Sequence, residues 1–353
     1  MARAAHNGTV GHPSSKKRPP SIKDVAELAG VSWSTVSNVI RGRPNVRPET
    51  QKRVEDAVRA LGYRTNAAGR QLRQGSSNTV VVGVPNLTNP QFASLVEALN
   101  AALHEKGLST VLEATGGDPE LERRIVEGRL RLQVDGAILI PSGLTATQIA
   151  RIDTELPLVV LGQAPDDRPF DVVHPNQNAA ARDVVEHLAN AGCTDVLFVG
   201  HLAHHGSDHR DTGLQAFVEA MRESALAIGA GNVVAVSEWS REAGRDAGRQ
   251  LAKRKESLQA VFCPDDVLAL GVIRGLVESG VSVPSDVRVV GFGGTVEGAH
   301  SWPSLTSVEV DGVAIARGAA EIIKQRLAGD DGSPKRLVVD HRFRPGESSP
   351  EGQ

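Results

Sequence analysis

Aromatic side chains supply only 3% of the 353 residues, with one Tyr, three Trp and seven Phe. So thin a supply cannot build the stacked platforms that grip single-stranded nucleic acid. Cysteine is nearly absent: Cys193 and Cys263 each sit inside an apolar run, and neither belongs to a paired motif. That excludes a disulfide framework or a thiolate metal site, and it points to core packing in a reducing compartment. No apolar stretch approaches the roughly 20 residues that cross a bilayer; short runs such as Leu156 to Leu161 are the longest. The opening residues, MARAAHNGTVGHPSSKKRPP, have no apolar centre and do not read as a secretory leader. A cytoplasmic protein without a membrane partner is expected.

What the chain does have is a charge split hidden by its average. The formal net charge is -3, yet the residues up to Ser77 carry 14 basic and 5 acidic side chains, leaving 25 and 37 for the rest. A head at +9 on a body at -12 suggests a small nucleic-acid-binding unit joined to something else. The length accommodates a head of about 60 residues and roughly two further domains of ordinary size. A hydrophobic content of 40% is that of a globular chain, and 36 glycines suit a fold with many strand-to-helix turns.

Residues 1 to 20 read as a disordered basic arm, with Lys16, Lys17 and Arg18 in a row. From Ser21, a plausible helix cap, Ile22, Val25, Ala26 and Ala29 recur at helical spacing until Gly30. Ser32 can cap a second helix with Val36, Val39 and Ile40 inward, before Gly42, Pro44 and Asn45 break the chain. Pro48 opens a third helix, striped by Val54, Ala57, Val58 and Leu61 and closed by Gly62. This is the helix-turn-helix plan, whose second helix is free to enter a major groove. Its outward side chains are Trp33, Ser34, Thr35, Ser37 and Asn38. Small hydroxyls suit phosphates, Asn can pair with adenine, and Trp can pack on a thymine methyl or a sugar. A three-helix bundle with a merely polar surface has the same spacing, but Lys23, Arg41, Arg43, Arg47, Lys52 and Arg53 cluster around these turns.

The runs SIKDVAELAGVSWSTVSNVIRG, VRPETQKRVEDAVRALGY and NAAGRQL together resemble the head and hinge of the lactose-repressor (LacI/GalR) family of transcriptional regulators. The resemblance implies Trp33, Ser34 and Asn38 as base readers and Ser21, Ser32, Thr35, Ser37, Thr50 and Tyr63 as phosphate contacts. It also implies a hinge helix over Asn66 to Arg73 that forms when two subunits lie over the minor groove, with Asn66 at its start and Leu72 as the wedge that kinks the duplex. Thr65 stands where the family usually has Pro, and Gly69 where Ala is usual, so folding this hinge should be entropically harder.

Beyond Asn78 short apolar runs alternate with amphipathic stretches. Strands are predicted at Val80 to Val84, Ser109 to Glu113, Gly136 to Ile140 and Leu158 to Leu161, with helices at Pro90 to Lys106 and Pro119 to Leu132. A second series follows: strands Asp195 to Val199, Val233 to Val236, Ala260 to Cys263 and Val287 to Gly291, with helices Asp211 to Ala227, Arg241 to Lys253 and Asp266 to Glu278. The pattern is that of two parallel-sheet α/β subdomains, with ligands expected beyond the carboxyl ends of the strands. The body also resembles the same family and the periplasmic sugar-binding proteins, on VVVGVPNLTNPQFASLVEALNAALHEKG, VDGAILIPSG, VFCPDDVLALG, VPSDVRVVGFGG and WPSLTSVEVD. The expected division is a helix-turn-helix domain at 21–64, a hinge at 65–77, a first subdomain from 78–161 and 296–328, a second from 162–295 and 329–343, and a tail at 344–353.

By resemblance, Asn86, Thr88, Phe92, Ser142, Trp239 and Asp266 line an effector cleft, Trp239 offering an apolar face and Asp266 an acceptor. Several of the family's polar anchors are missing: Gly213 replaces an Arg, and Gly162, Pro175 and Gly293 replace Asp residues. Either the ligand is less polyhydroxylated than a sugar, or the response is lost. His201, His204, His205 and His209, with Asp208 and Asp211, fall in one loop and admit a metal, an effector contact or a solvated loop, though no standard zinc spacing is present. No cofactor is expected, and no enzyme: Gly291 to Gly294 lacks a dinucleotide fingerprint, and Asp265-Asp266 reads better as a helix cap plus a ligand contact than as a catalytic pair. The expectation is a dimeric repressor binding a near-palindromic duplex operator under control of a small molecule. A solute-binding sensor without DNA function is the competing class.

Overall fold

The computed structural model describes residues 20–40, 46–63, 76–202, 212–254 and 257–351. Residues 1–19 of the predicted arm, residues 65–75 of the hinge with Asn66 and Leu72, and the His204 to Asp211 loop lie outside the described residues. The chain divides into two compact units, Met1–Ser76 and Ser77–Gln353.

In the first unit, α1 (Ile22–Ala29), α2 (Trp33–Ile40) and α3 (Pro48–Leu61) enclose a core of Val25, Ala26, Ala29, Val36, Val54 and Ala57. Each helix starts and stops where local chemistry dictates. The Ser21 hydroxyl accepts from Asp24 N at 3.4 Å while the Asp24 carboxylate takes Ser21 N at 2.7 Å, a reciprocal box. Gly30 and Gly62 end α1 and α3 at φ +61° and +60°, the left-handed geometry that glycine adopts without Cβ strain. Ser32 caps α2 through Thr35 N at 3.1 Å.

The second unit contains two six-stranded sheets. Lobe 1 is built from β1 (Thr79–Val84), α4 (Pro90–Glu105), β2 (Ser109–Ala114), α5 (Pro119–Val126), β3 (Gly136–Leu139), α6 (Ala146–Ala150), β4 (Leu158–Leu161) and β5 (Asp171–Pro175). Lobe 2 follows with α7 (Gln177–Asn190), β6 (Val196–Leu202), α8 (Thr212–Glu223), β7 (Val233–Val236), α9 (Arg241–Leu251), β8 (Ala260–Phe262), α10 (Asp266–Glu278), β9 (Arg288–Gly293), α11 (Val296–Ala299) and β10 (Thr306–Val310). The chain then returns through α12 (Gly312–Leu327) and β11 (Arg336–Val339) to lobe 1 and ends with β12 (His341–Arg344) in lobe 2. The sheet orders are β11-β5-β4-β3-β1-β2 and β12-β10-β9-β8-β6-β7. Every pairing is parallel except β10 with β12, so the second sheet has an antiparallel edge that the parallel-sheet expectation omits.

Both faces of each sheet are covered, which is why the central strands read as unbroken Val, Ile and Leu runs. In lobe 1, Leu99 and Leu103 of α4 and Ile315, Ala319 and Ile323 of α12 fill one side, and Ile125 and Ile149 the other. In lobe 2, α9 and α10 cover one side, and α7 and α8 the other. Helices α9 and α10 touch backbone to backbone: a Cβ on Gly244, Gly248, Gly271 or Gly275 would run into main-chain atoms of the partner helix. Cys193 and Cys263 are buried and free, as core packing requires, and burial raises both thiols.

The expected subdomain boundaries need correction. The chain leaves lobe 1 after Pro175 and not after Leu161, because Val172 and Val173 of β5 are fully buried between β4 and β11. Residues 296–310 stay with lobe 2, where Thr306 and Ser307 are buried. Residues 336–339 belong to lobe 1. Nor is 344–353 a bare tail: Ser348 and Ser349 are fully buried, Ser348 Oγ donating to Val289 O at 2.6 Å. The predicted helix from Pro119 to Leu132 stops at Val126.

Candidate nucleic-acid interface and inter-lobe cleft

In the head, α2 and the start of α3 border a hollow of about 470 Å³ lined by Ser32, Thr35, Asn38, Arg47, Thr50 and Arg53. Four of these are sequence-predicted contacts, brought together because α2 and α3 pack through Val36 and Val54 and leave their polar edges facing one gap. Ser32 Oγ lies 2.7 Å from Ser34 Oγ and 2.8 Å from Thr35 Oγ1, so the three hydroxyls form one chain at the N-terminus of α2. Trp33, 59% exposed at the first turn, is free to meet a partner. Ser37 lies half-buried further along α2, Ser21 is engaged in capping α1, and Tyr63 packs against the head core. Arg47 and Arg53 are the exposed cations of the hollow. They were legible as part of a basic cluster but not as neighbours of Asn38.

In the body, the carboxyl ends of the strands carry the predicted effector residues, yet most are tied to their own lobe. Asn86 Oδ1 accepts from Thr88 N at 3.1 Å, Thr88 Oγ1 at 3.0 Å and Asn89 N at 2.9 Å, an Asx turn after β1. Phe92 packs half-buried against the lobe 1 core. Trp239 is 37% exposed, its indole N–H donating to Gly200 O at 2.8 Å, which fixes the ring at the end of β6.

Ser142 is held by Glu122, a fully buried carboxylate that sequence reasoning missed. Its Oε1 accepts from Ser142 N at 2.8 Å and Gly143 N at 3.0 Å, and its Oε2 from Leu144 N at 2.8 Å. Three backbone donors converging on one anion form a nest built from the chain itself. It fixes the loop after β3 against the one after β2.

Asp266 corrects an expectation. It is completely buried, its Oδ2 accepting from Thr295 N at 2.6 Å and Thr295 Oγ1 at 2.9 Å, and its Oδ1 from Ser307 Oγ at 2.6 Å. Those bonds commit both oxygens to lobe 2, so Asp266 offers no acceptor to a ligand in this conformation. Burial raises its pKa even so. The carboxylate that spans the lobes is its neighbour. Asp265 Oδ1 caps α10 through Val267 N at 2.8 Å and Leu268 N at 3.2 Å, while Oδ2 accepts from Asn89 Nδ2 of lobe 1 at 2.8 Å. Both partners are buried, and burial pushes Asp265 up to about 6 against the opposing pull of these bonds. Beside this bridge Gln91 of lobe 1 lies over Gly293, its Oε1 at 2.9 Å from where a Cβ would stand. The Asp that the family usually has at 293 could not coexist with Gln91 placed so.

His201 is half-buried at the end of β6, and the rest of its predicted cluster lies outside the described residues. Among the described residues no group of three or more His, Cys, Asp or Glu could hold a metal ion. No helix of the described residues is long and apolar enough to cross a membrane.

Residues 21–66 match the sequence profile of bacterial regulatory proteins of the lacI family, and residues 185–349 that of a periplasmic binding protein-like domain. The HTH-type transcriptional repressor PurR of Actinobacillus pleuropneumoniae serotype 3 is 29% identical over 312 residues, covering 88% of this chain and 92% of its own. A solved structure from Sanguibacter keddieii DSM 10542, assigned as a transcriptional regulator of LacI family, is 33% identical, covers 77% of this chain and 98% of its own, and superposes with a TM-score of 0.68. The lac repressor dimer bound to operator and an anti-inducer superposes at 0.81 over 94% of this chain and 100% of its own; at 23% identity it speaks for the fold.

Proposed function

Since this chain belongs to the LacI family of bacterial regulatory proteins, we propose that it is a cytoplasmic, dimeric repressor that reads a near-palindromic operator and is controlled by a small molecule bound between its lobes. The observation that carries the reading is the hollow in which Ser32, Thr35, Asn38 and Thr50 meet Arg47 and Arg53, in a head of net charge +9. The arginines and hydroxyls serve phosphates, and Asn38 and Trp33 serve base edges. Ser21, Ser34, Ser37 and Tyr63 extend the contact, and Asn66 and Leu72 act at the minor groove between paired heads. No catalytic role is assigned to any residue.

For the effector, Asn86, Thr88, Phe92, Ser142 and Trp239 are the proposed lining; Asp265 and Asp266 are left out, each being buried with both oxygens engaged. Glycines at 162, 213 and 293 remove the anchors that would pair with many hydroxyls, and Asn89 and Gln91 already occupy part of the space where the lobes meet. These features favour a ligand with few hydroxyls. A ligand preferring one arrangement of the lobes shifts operator affinity by linkage.

Selection of duplexes from a random pool with the full chain at moderate salt tests the reading. Enrichment of a two-fold symmetric sequence is expected, and its absence would overturn the assignment. A thermal-shift screen of metabolites then identifies the effector.

A further inference from the structure

Lobe 1 grips the first residues of the second unit more firmly than strand pairing requires. Asp135, immediately before β3, reaches across to the pair ahead of β1: its Oδ1 accepts from Ser77 N and Ser77 Oγ, both at 2.9 Å, and its Oδ2 from Asn78 N at 2.5 Å. The Ser77 hydroxyl also accepts from Thr79 N at 3.2 Å, and Thr79 Oγ1 donates to Ser77 O at 3.1 Å. On the backbone, Asn78 O accepts from Ser109 N and Thr79 O from Asp135 N, each at 2.8 Å. Residues 77–79 are thus fixed from both neighbouring strands. The boundary between the two compact units falls between Ser76 and Ser77, directly ahead of this clasp.

Lobe 2 carries a counterpart that serves as an internal control. Gln259, immediately before β8, accepts on Oε1 from Thr194 N at 2.6 Å, Thr194 Oγ1 at 3.2 Å and Asp195 N at 2.9 Å, ahead of β6. The positions are equivalent, since β1 lies between β3 and β2 as β6 lies between β8 and β7. The chemistry differs. In lobe 2 the held pair merely follows α7, and a neutral amide suffices. In lobe 1 the held pair is the junction with the DNA-reading unit, and the acceptor is a carboxylate, whose charge-assisted bonds are roughly twice as strong.

We propose that Asp135 is the positioning residue by which the sensor body anchors the end of the connection to the DNA-reading head, so that a rearrangement of lobe 1 displaces the head. The inference rests on the proposed regulator function. A coupling between two sites needs a physical connection that each site can bias, and a connection that slips at one end transmits nothing. Removing the clasp should therefore weaken operator recognition while leaving the head's general affinity for DNA intact.

The test uses the full chain and two probes: the symmetric duplex selected from a random pool, and an unrelated duplex of equal length. Asp135→Ala is expected to weaken binding to the selected duplex about tenfold, within the span of typical couplings, and to leave the unrelated duplex unchanged. Asp135→Asn, which keeps one acceptor oxygen, should fall between. Gln259→Ala should leave the ratio of the two affinities unaltered, and hydrogen exchange at Ser77 and Asn78 should rise only in the Asp135 proteins. An unchanged affinity ratio for Asp135→Ala, or an equal change for Gln259→Ala, overturns the proposal. Should the Ala variant fail to fold, the Asn variant and its exchange rates decide by the same criteria. If no symmetric duplex is selected by the unaltered protein, it is the regulator reading that fails.

Discussion

Lowering the pH should tighten the body through Asp265, in a direction opposite to that of an ordinary ion-paired carboxylate. Burial holds this group near 6 in the folded chain, against an ordinary value of 3.8. Folding therefore favours the protonated form: the stabilising contribution is fully present below about 3.8 and is lost as pH rises through about 6. Over that whole interval the linkage amounts to about 3 kcal/mol. Between pH 7.5 and pH 5 roughly half of it is recovered, with one site titrating. Other groups change over the same range, among them His174 and His187, both held below their ordinary values first by burial. An Asp265→Asn protein removes these common contributions by difference, since its amide still caps α10 and does not titrate. Unfolding in urea at both pH values, followed by circular dichroism, should show the unaltered protein gaining roughly half of that linkage on the variant as pH falls. A difference that stays flat, or moves the other way, would falsify the assignment of a raised pKa to the inter-lobe bridge.

Further consequences follow from packing and charge. Gly275→Ala adds a methyl against the backbone of Arg245 in α9; despite a better helix propensity, overpacking should give a net loss of about 2 kcal/mol, read as a lower melting temperature. Glu122→Gln should cost about 1–3 kcal/mol, because its amide turns a donor toward a backbone N–H of the Ser142 to Leu144 loop; unaltered thermal stability would refute the nest. Arg53→Ala should lower the salt dependence of DNA binding by about one phosphate contact without changing the preferred sequence, whereas Asn38→Ala should cost about 1–3 kcal/mol and relax one base position. Titrating both variants against the selected duplex at several salt concentrations separates the two roles.

Much of this architecture was legible along the chain. The three head helices, the alternation of strands and helices and the two buried cysteines follow from periodicity, capping residues and composition. Several of the elements that were missed have side chains that carry little local signal. β11 is an edge strand with Arg336, Leu337 and Val338 exposed, so no alternation marks it. Ser348 and Ser349 look like a polar tail, and their burial depends on bonds to residues about 40 or more positions away in the chain. Asp265 and Asp266 are adjacent, yet one is the cap and the other the first helical residue; successive positions at 3.6 residues per turn point about 100° apart. Which of the two meets the opposite lobe depends on how α10 is set into its sheet.

By itself, then, the sequence determined the class of the protein. Its +9 head and helix-turn-helix spacing select duplex DNA as partner, and the alternating body selects a two-lobed binding fold, because charge and periodicity act locally and survive without neighbours. Only the tertiary structure decided which groups are spent and which are available. Asp266 and Glu122 are consumed within their lobes, Asn89 and Asp265 join the lobes, and Asp135 grips the residues leading out of the head. Those assignments depend on partners up to 176 residues apart in the chain, and a hydrogen bond requires both atoms to be in place.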